Sequence, residues 1–423
     1  MDKNLRRYHD AIAVAKLLED AGHAARLAGG SVRDRLLGLT PKDYDIATGA
    51  LPEQVTAILQ KHKIKVIPTG IQHGTVTACT NSGNVEITTL RVDEQTDGRH
   101  ATVSFTGEDF ELDARRRDFT VNALYEDTGG NIYDYVGGKS DLESKTLRFV
   151  GDAKKRIEED ALRIMRFFRF WGQLGFAPDS GDTLQVIKAH GLLLKNLSRE
   201  RISAELYKLL ISAKPTQALE AMRACEVFPH ILSQAQLPED FQAIDKVDFQ
   251  NNEVCFLARL AFLCGWGQDA KCWHSSDVDL IGIDLKLAND QTKKLRWTLT
   301  AIQQLHTLED DLLAQMNWLD HICQVSPAFD TDIAALVQLL VGHDKNAISR
   351  FQVTQKTELA YSHLRTAKLP IDGRDIMQHF QLGPCETLGT ILRDAKNAYR
   401  LQEWKTRSQA FLWLDENRRK WLD

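Results

Sequence analysis

The sequence lacks the features that mark membrane, secreted or low-complexity proteins. No stretch approaches the ~18 unbroken apolar residues of a membrane span, and no apolar run of signal-peptide length follows the charged N-terminus. The seven cysteines include no CxxC pair and no disulfide framework, which indicates reduced thiols. Internal repeats and low-complexity tracts are also missing. These absences predict a cytoplasmic protein with no membrane partner.

The chain also lacks a large excess of either charge. Its formal net charge is -5 over 423 residues, which argues against a general nucleic-acid coat protein and requires any anion site to be a local concentration of charge. Hydrophobic residues make up 43% and charged residues 26%, as in ordinary globular proteins. The length is too great for one core and predicts two to four domains.

Helix and strand signals divide the chain at about residue 145. Before it, the pattern predicts a helix over 8–23, a strand over 24–28 with a Gly-Gly turn, and further strands over 44–46, 65–68, 74–80 and 85–91. The polar segment 92–113 is predicted to be a loop. After it, strand signals almost vanish, and the helices are predicted over 153–174, 183–195, 199–212, 215–225, 253–264, 290–306, 331–342, 355–365 and 386–419. The fold class is therefore α+β, with a mixed head and a helical remainder.

Asp43 and Asp45 form an Asp-x-Asp pair on the predicted strand 44–46. Side chains at i and i+2 project from the same face of a strand, so both carboxylates would enter one cleft. Such a pair can hold divalent cations that activate a hydroxyl and bridge a triphosphate. Glu86, on the predicted strand 85–91, is a candidate third carboxylate. Taken alone, Asp-x-Asp is also common in surface strands and turns.

Gly29, Gly30, Ser31 and Arg33 lie just before these aspartates, where a strand turns into a helix. Backbone N–H groups of such a turn and a guanidinium group suit phosphate oxygens. Further along, the run Arg116-Arg117-Asp118 places two cations beside an acceptor, enough to bind a phosphate and a ribose hydroxyl together. A surface ion pair and a charged strand edge are the alternatives for these two segments.

Asp160 and Arg163 are predicted to be neighbours on the helix 153–174, away from its apolar stripe. An aspartate accepts and an arginine donates, so the pair complements the amino group and ring nitrogen of cytosine or adenine. Uracil and guanine present a carbonyl and a ring N–H instead, which would leave buried groups unpaired. The alternative is a set of solvated intrahelical ion pairs.

The Gly-Gly-x-Val-Arg-Asp run at 29–34, followed by Asp-x-Asp at 43–45, resembles the class II, bacterial-type branch of the nucleotidyltransferases. That branch contains the tRNA CCA-adding enzymes and poly(A) polymerases. The resemblance continues in family order through Arg-Arg-Asp-Phe-Thr-Val-Asn-Ala at 116–123, Glu-Asp-Ala-Leu-Arg at 159–163 and Leu-Ser-Arg-Glu-Arg-Ile at 197–202. Five blocks in order make the match specific.

The resemblance implies a fold, a reaction and a set of site residues. The fold would be a nucleotidyltransferase head with a mixed β-sheet and helices (1–145), a helical neck that recognises the base (146–215), a helical body (216–330) and a helical, tRNA-binding tail (331–423). The reaction would be addition of C, C and A to the tRNA 3′ end from CTP and ATP, with release of pyrophosphate. The partners would be CTP, ATP and the tRNA acceptor stem and elbow, and the cofactor Mg²⁺ with Mn²⁺ as the alternative.

The residues that match the motifs take the following expected roles. Asp43 and Asp45 are expected to serve catalysis and metal binding, with Glu86 as an additional metal candidate, and the triphosphate is expected to be bound by Gly29, Gly30, Ser31 and Arg33. The ribose is expected to be bound by Arg117, Asp118 and Asn122, and the base to be recognised by Glu159, Asp160, Arg163 and Arg166. RNA binding is expected of Arg199, Arg201 and Lys208.

Several alternatives remain open on the sequence alone. The segments 42–48 and 70–75 resemble the CCA-adding side, and the interval 91–113 is shorter than in most poly(A) polymerases. His100-Ala101 replaces a common arginine-proline, which leaves an A-adding enzyme as an alternative. His343-Asp344 raises an HD-type phosphohydrolase, although no convincing set of further ligands accompanies it. A non-catalytic RNA-binding protein would have no use for Asp43 and Asp45. The oligomeric state is left open.

Overall fold

The computed structural model describes residues 3–71, 74–96, 101–105, 107–179, 181–233, 237–239, 241–265, 273–308, 311–323, 331–341, 345–366 and 369–422. The chain divides into two compact units, Met1–Ser233 with Asp284–Lys286, and Gln234–Ile283 with Leu287–Asp423. The division into head, neck, body and tail stays a prediction.

The first unit begins with an α+β region. In chain order its elements are α1 (Lys3–Asp20), β1 (Ala25–Ala28), α2 (Gly30–Leu36), β2 (Tyr44–Thr48), α3 (Pro52–Lys61), β3 (Lys65–Gly70), β4 (Thr75–Cys79), β5 (Asn84–Thr89), β6 (Arg91–Thr96), β7 (Ala101–Phe105), α4 (Phe110–Arg116), a 3₁₀ turn (Thr120–Asn122), β8 (Leu124–Glu126), β9 (Ile132–Asp134), α5 (Gly138–Glu143) and β10 (Thr146–Leu147).

A seven-stranded sheet forms the centre of this region, in the order β3-β4-β5-β2-β1-β8-β9. Strands β2 and β5 pair in parallel, whereas β2 with β1, β4 with β5, and β8 with β1 and β9 pair antiparallel. The sheet is therefore mixed, as the predicted head requires. In β5, Val85, Ile87 and Thr89 are buried and alternate with Glu86, which is exposed, the pattern of a strand with one face toward the core.

Helices follow in the rest of the first unit. They are α6 (Ala153–Glu159), α7 (Leu162–Leu174), the short strand β11 (Ala177–Pro178), α8 (Gly181–His190), a 3₁₀ helix (Gly191–Asn196), α9 (Arg199–Leu210), α10 (Thr216–Ala224) and α11 (Phe228–Ile231). An aromatic cluster joins α7 to the sheet region, because Phe119 contacts Phe149 and Phe170, and Phe149 stacks on Phe167 at 5.6 Å between ring centroids. This packing brings α7 against the segment that carries Asp118.

Two predicted elements of the first unit are corrected by the structure. The predicted loop 92–113 contains the β6–β7 hairpin and α4. Backbone pairing of two short polar strands needs no hydrophobic periodicity, and α4 begins where the Asp109 side chain accepts a hydrogen bond from the Leu112 N–H at 2.9 Å.

The predicted continuous helix 153–174 is wrong, since it is broken between α6 and α7. Asp160 has an extended backbone, with φ -152° and ψ 104°, and its side chain accepts a hydrogen bond from the Leu162 N–H at 3.1 Å. An aspartate that bonds the nearby backbone offers an alternative to the helical conformation. Helical periodicity continues across the break, which is why the sequence pattern conceals it.

The second unit is helical in the residues described. Its elements are a 3₁₀ turn (Ile244–Lys246), α12 (Asn252–Leu263), α13 (Ser275–Leu285, whose last residues belong to the first unit), α14 (Asn289–Thr307), α15 (Leu312–Ile322), α16 (Thr331–Val341), α17 (Lys345–Thr366), α18 (Gly373–Phe380), α19 (Glu386–Arg400), α20 (Arg407–Glu416) and α21 (Arg419–Leu422). In these residues and those of the first unit, no helix has the length and apolar character needed to cross a bilayer.

The predicted helix 386–419 is wrong in its continuity, since it consists of α19, α20 and α21. Gln402 takes a left-handed backbone conformation with φ 59°, and Thr406 caps α20 through a bond from the Gln409 N–H. A cap residue and a left-handed residue end one helix and start the next. His343-Asp344 lie outside the described residues.

The predicted α+β fold class is confirmed: a mixed-sheet head is followed by a mostly helical remainder.

Candidate active site

Asp45 lies in the middle of the sheet, where three strands meet. It pairs with Ala28 of β1 on one side and with Glu86 of β5 on the other. Because directly paired residues of neighbouring strands project from the same face, Asp45 and Glu86 share one surface of the sheet. Asp43 precedes β2, its side chain is 82% exposed, and its Oδ1 lies 3.4 Å from the Arg7 Nη2.

Negative charge is crowded around Asp45. Burial, then the neighbouring Glu86 and Asp43 carboxylates, raise the pKa of Asp45 to about 6, and Arg117 opposes them. Within the described residues, no three or more His, Cys, Asp or Glu side chains group together as ready ligands of a metal. Mg²⁺ is usually bound by one or two carboxylates, retained waters and substrate phosphates rather than by a full protein cage. The donor set therefore fits a cation that is shared with a phosphate substrate.

The Gly29-Gly30 turn ends β1 beside Asp45. Gly29 has φ 73°, in the region that favours glycine, and a Cβ at this position would lie 2.9 Å from the Arg117 Nη1. Glycine thus permits both the turn and the close approach of the arginine. Ser31 is buried and donates its hydroxyl to the Ala28 carbonyl oxygen at 3.3 Å, so it holds the turn against the strand.

Arg117 is fixed by a buried carboxylate. Asp113, 1% exposed, accepts from the Arg117 Nε and Nη2 at 3.1 and 3.0 Å and from the Arg116 Nε at 2.8 Å. Burial would raise the pKa of Asp113, but Arg117 and Arg116 and the hydrogen bond from Tyr125 hold it below its ordinary value. The predicted ribose residue Arg117 consequently lies beside the glycine turn and within electrostatic reach of Asp45.

One hydrogen-bonded chain joins the predicted triphosphate, ribose and base groups. The Arg33 side chain donates to Asp34, with its Nε at 2.8 Å from Oδ1, and to the Asn122 Oδ1. The Asn122 Nδ2 donates to the Asp118 Oδ1 at 3.3 Å. Arg166 donates to the Asp118 Oδ2 from Nε at 2.8 Å and from Nη2 at 2.5 Å. Arg166, predicted with the base group, is therefore bonded to the predicted ribose carboxylate.

The remaining base-recognition residues surround the break between α6 and α7. The Arg163 Nη1 donates to the Glu159 Oε2 at 2.5 Å, and its Nη2 to the Arg116 carbonyl oxygen at 3.3 Å. The Asp160 Oδ2 accepts from the Arg201 Nη2 at 2.7 Å. Asp160 and Arg163 thus lie three residues apart but have separate partners, and both are half-buried rather than fully solvated.

Among the three predicted RNA-binding residues, Arg201 has its side chain on a predicted base-recognition residue, Asp160. Arg199 donates to the His230 carbonyl oxygen at 3.1 Å, and the Lys208 Nζ lies 3.8 Å from the Glu205 Oε1. The role of these two residues of α9 in RNA binding stays a prediction.

Sequence reasoning missed three residues that shape this region. Arg7 contacts Asp43, and no motif in the charged N-terminus indicated it. Asp113 stands three and four residues before the two arginines that it binds, a helical spacing that was readable but fell in a segment predicted to be a loop. Phe170 has three guanidinium carbons near its ring, those of Arg169 at 3.9 Å, Arg33 at 5.3 Å and Arg166 at 5.8 Å, which no sequence spacing could reveal.

Comparison with protein families assigns both parts of this region. Residues 25–148 match the model described as the poly A polymerase head domain, and residues 178–237 match the model described as a probable RNA and SrmB-binding site of polymerase A. The segments 25–148 and 178–237 therefore belong to the poly A polymerase head and RNA-binding families, within the nucleotidyltransferases that the motifs resemble. The predicted family is thereby confirmed.

Curated members of this family that resemble the chain include "CCA tRNA nucleotidyltransferase 1, mitochondrial" of Homo sapiens. It is 40% identical over 285 residues, which are 66% of this chain and 63% of the relative. The CCA-adding enzyme of Streptococcus pyogenes serotype M2 is 41% identical over 226 residues, 53% of this chain and 55% of the relative. The chain thus spans about half to two thirds of the length of the curated relatives it matches.

A solved structure in the family extends the likeness over nearly the whole chain. The Bacillus stearothermophilus CCA-adding enzyme in complex with CTP superposes with a TM-score of 0.78 and 26% sequence identity, covering 99% of each chain. The helical remainder therefore has the same fold as that enzyme, beyond the segments that the family models match.

Proposed function

We propose that this protein adds C, C and A in turn to the 3′ end of tRNA, using CTP and ATP and releasing pyrophosphate at each step. The single observation that carries the proposal is the convergence of three groups in the first unit: the carboxylates at β2, the glycine turn with its arginines, and the Asp160–Arg163 segment. The family of the chain and its full-length likeness to a CTP-bound CCA-adding enzyme support the same conclusion.

In each step the tRNA 3′-hydroxyl attacks the α-phosphate, the new O3′–P bond forms, and the bond to pyrophosphate breaks. The Gly29 N–H is donated to the Leu124 carbonyl oxygen at 2.9 Å, so Gly29 shapes the turn, and the Gly30 backbone N–H is the one offered to the triphosphate. Arg33 and Arg117 offer guanidinium charge beside it. Ser31 supports the turn. Fixed donors that already face the phosphates stabilise charge in the transition state without reorganising at the moment of reaction.

Asp43 and Asp45 would hold the metal ion, Mg²⁺ with Mn²⁺ as the alternative, and Glu86 adds negative charge beside them. When bound, such an ion lowers the pKa of an attacking hydroxyl and neutralises phosphate charge. The raised pKa of Asp45, which comes from its burial and then from the Glu86 and Asp43 carboxylates, supports this role, because a bound cation would stabilise the ionised form.

Nucleotide choice is proposed for Asp160 and Arg163, with Glu159 orienting the arginine. The Asp160 acceptor and the Arg163 donor complement the amino group and ring nitrogen of cytosine or adenine. Uracil or guanine in the same position would leave polar groups unpaired. Arg201 holds Asp160, and Arg163 is held by Glu159, so the two groups are oriented before a base arrives. Asp118 and Asn122 are proposed for the ribose.

The tRNA is proposed to bind through Arg199, Arg201 and Lys208 at its acceptor stem and through the tail, 331–423, at its elbow. Phosphate contacts of this kind are sequence-independent and weaken with salt. A cytoplasmic location and the four-part division into head, neck, body and tail belong to the same proposal.

The test uses purified full-length protein and tRNA transcripts that end before, within or one residue short of CCA, each offered the four nucleotides singly. We expect CTP incorporation on the first two substrates and a single ATP addition on the last. Addition of A alone to tRNA ending in CC, without CTP use on any substrate, would favour the A-adding enzyme. Long poly(A) on unrelated RNA would favour the poly(A) polymerase, and RNA cleavage without pyrophosphate release the phosphohydrolase.

Two variants examine the residues. Asp43→Ala should abolish incorporation while leaving the fold intact, and full retained activity would refute the metal assignment. Arg163→Ala should lower the preference for CTP over UTP, and an unchanged preference would refute the base assignment. Lys139→Ala, an exposed charge on α5 away from these groups, is the control for general effects of charge removal.

A further inference from the structure

The Asp118 carboxylate is saturated with donors from the protein. Its Oδ1 accepts from the Phe119 backbone N–H at 2.8 Å and from the Asn122 Nδ2 at 3.3 Å. Its Oδ2 accepts twice from Arg166. A carboxylate offers about four acceptor sites, so these four donors fill it. A sugar hydroxyl can bond to Asp118 only by replacing one of them.

The bond from Asn122 is the one that a hydroxyl can replace. At 3.3 Å it is the longest of the four, near the upper limit for an N–H donor, whereas a hydroxyl donates to a carboxylate at ~2.6 Å. Asn122 is also held from its other side, because its Oδ1 accepts from Arg33. Its amide therefore keeps one partner when the bond to Asp118 opens.

Arg166 keeps Asp118 ionised. The Asp118 residue is 9% exposed, and burial on its own would raise the pKa of its carboxyl. The ion pair and hydrogen bonds with Arg166, with the bonds from Phe119 and Asn122, hold that pKa below its ordinary value. A buried carboxylate deprived of its cation takes up a proton or loses its orientation, and a protonated oxygen no longer accepts a hydroxyl in the same way.

The Asp160 charge reaches Arg166, but within the described residues the hydrogen bonds of the Arg166 guanidinium run to Asp118 and none runs to the base group. Among the described residues, the bonds of Asp160 run to Arg201 and to Leu162, and those of Arg163 run to Glu159, Arg156 and Arg116. The guanidinium of Arg166 instead uses two of its five N–H groups on one oxygen of Asp118. The Arg166 guanidinium therefore fixes the carboxylate that is proposed to bind the ribose.

We propose that Arg166 is a positioning residue for sugar selection, which orients Asp118 so that one of its oxygens accepts a ribose hydroxyl, and that it takes no part in reading the base. The inference rests on the proposed function, in which Asp118 binds the ribose. The motif predicted that Arg166 recognises the base, whereas this proposal assigns it to the sugar. Helix α7 would then control the preference for ribose over deoxyribose as well.

The test compares Arg166→Met with wild type, using CTP, dCTP and UTP on tRNA that lacks CCA. We expect the kcat/KM preference for CTP over dCTP to fall by roughly tenfold to a hundredfold, the range for losing a hydrogen bond to a charged group. The preference for CTP over UTP should change by less than about twofold. Arg166→Lys, which keeps the charge but not the fork, should recover part of the sugar preference.

Arg169→Met is the matched control. Arg169 also lies on α7, pairs with a buried carboxylate, Glu205, at 2.5 Å and packs on Phe170. The charge of Asp118 reaches Arg169, but in the part of the chain that the structure describes the hydrogen bonds to Asp118 come from Phe119, Asn122 and Arg166. Arg169→Met should cost comparable thermal stability and leave the CTP over dCTP preference at the wild-type value. Equal losses of sugar preference in the two variants would mean that Arg166 acts only through stability, which overturns the proposal.

Two further results separate this inference from the proposed function. If Asp118→Asn retains the sugar preference, the ribose assignment itself fails. If Asp118→Asn loses it and Arg166→Met keeps it at the wild-type value, only the role of Arg166 fails. A fall in CTP over UTP preference with an unchanged CTP over dCTP preference would return Arg166 to the base group. Should Arg166→Met not fold, the Arg166→Lys measurement and calorimetric binding of CTP and dCTP decide the same question.

Discussion

Replacing Asp45 with asparagine should stabilise the metal-free sheet and abolish activity. The change keeps the shape of the side chain and removes its negative charge, which burial and the neighbouring Glu86 and Asp43 carboxylates disfavour. The difference between a pKa of about 6 in the folded protein and an ordinary value of 3.8 corresponds to about 3 kcal/mol at 1.36 kcal/mol per pKa unit. The attraction to Arg117 is already contained in that pKa, and screening by water at the partly exposed carboxyl makes the figure an upper limit.

The stability that Asp45→Asn gains over wild type should increase as the pH rises. Below about pH 4, Asp45 is protonated in both folded and unfolded chains, so wild type and Asp45→Asn should be equally stable. Between pH 4 and 6 the unfolded chain releases the proton first, the folded state binds more protons, and wild-type stability falls with rising pH relative to the variant. Above pH 6 the full difference should be present. A cation that binds the ionised Asp45 should remove this loss of stability in wild type and should have no such effect on Asp45→Asn.

Hydrogen exchange read by mass spectrometry on peptides from β1, β2 and β5 measures this stability locally, with and without Mg²⁺, at pH 4 to 8. We expect slower exchange in metal-free Asp45→Asn at pH 7, no difference near pH 4, and protection by Mg²⁺ only in wild type. Glu143→Gln, an exposed carboxylate on α5, should show neither effect. Equal protection of both proteins by Mg²⁺, or a less stable Asp45→Asn at pH 7, would refute the account of the carboxylates.

Three further predictions concern neighbours of the site. Gly29→Ala should lower CTP affinity and destabilise the protein by about 1 to 3 kcal/mol, because its Cβ meets Arg117 and its φ is positive; a melting temperature and CTP titration equal to wild type would contradict this. Arg7→Ala should lower the Mg²⁺ concentration for half-maximal activity, because it removes a cation from Asp43; a raised requirement in Mg²⁺ titrations would contradict it. Arg201→Ala should reduce the CTP over UTP preference by freeing Asp160, measured with short acceptor-stem substrates, and an unchanged ratio would contradict it.

Local sequence signals predicted the elements that carry the carboxylates and the glycine turn. The Gly29-Gly30 pair, the strand with Asp45 and the alternation of β5 each depend on neighbours in the chain, and the structure has them close to the expected positions. The parallel pairing of Asp45 with Glu86 was consistent with the predicted face, but the register itself is a property of the assembled sheet.

Interactions between distant segments could not be predicted in the same way. Asp160 and Arg163 were expected to be neighbours on one helix, yet Asp160 bends the backbone and turns to Arg201, 41 residues away along the chain. Arg166 was grouped with the base residues because the motif places it nearby, whereas its carboxylate partner is 48 residues earlier. Spacing rules describe only contacts within a helix or strand, so such partners require the structure.

The most direct test of the central claim is the mass of a tRNA transcript that lacks CCA, after incubation with the purified full-length protein, Mg²⁺ and all four nucleotides together. The account predicts one dominant product, heavier by two cytidylates and one adenylate, with no further growth. A ladder of adenylates, an added uridylate or guanylate, or a transcript of unchanged mass would contradict it.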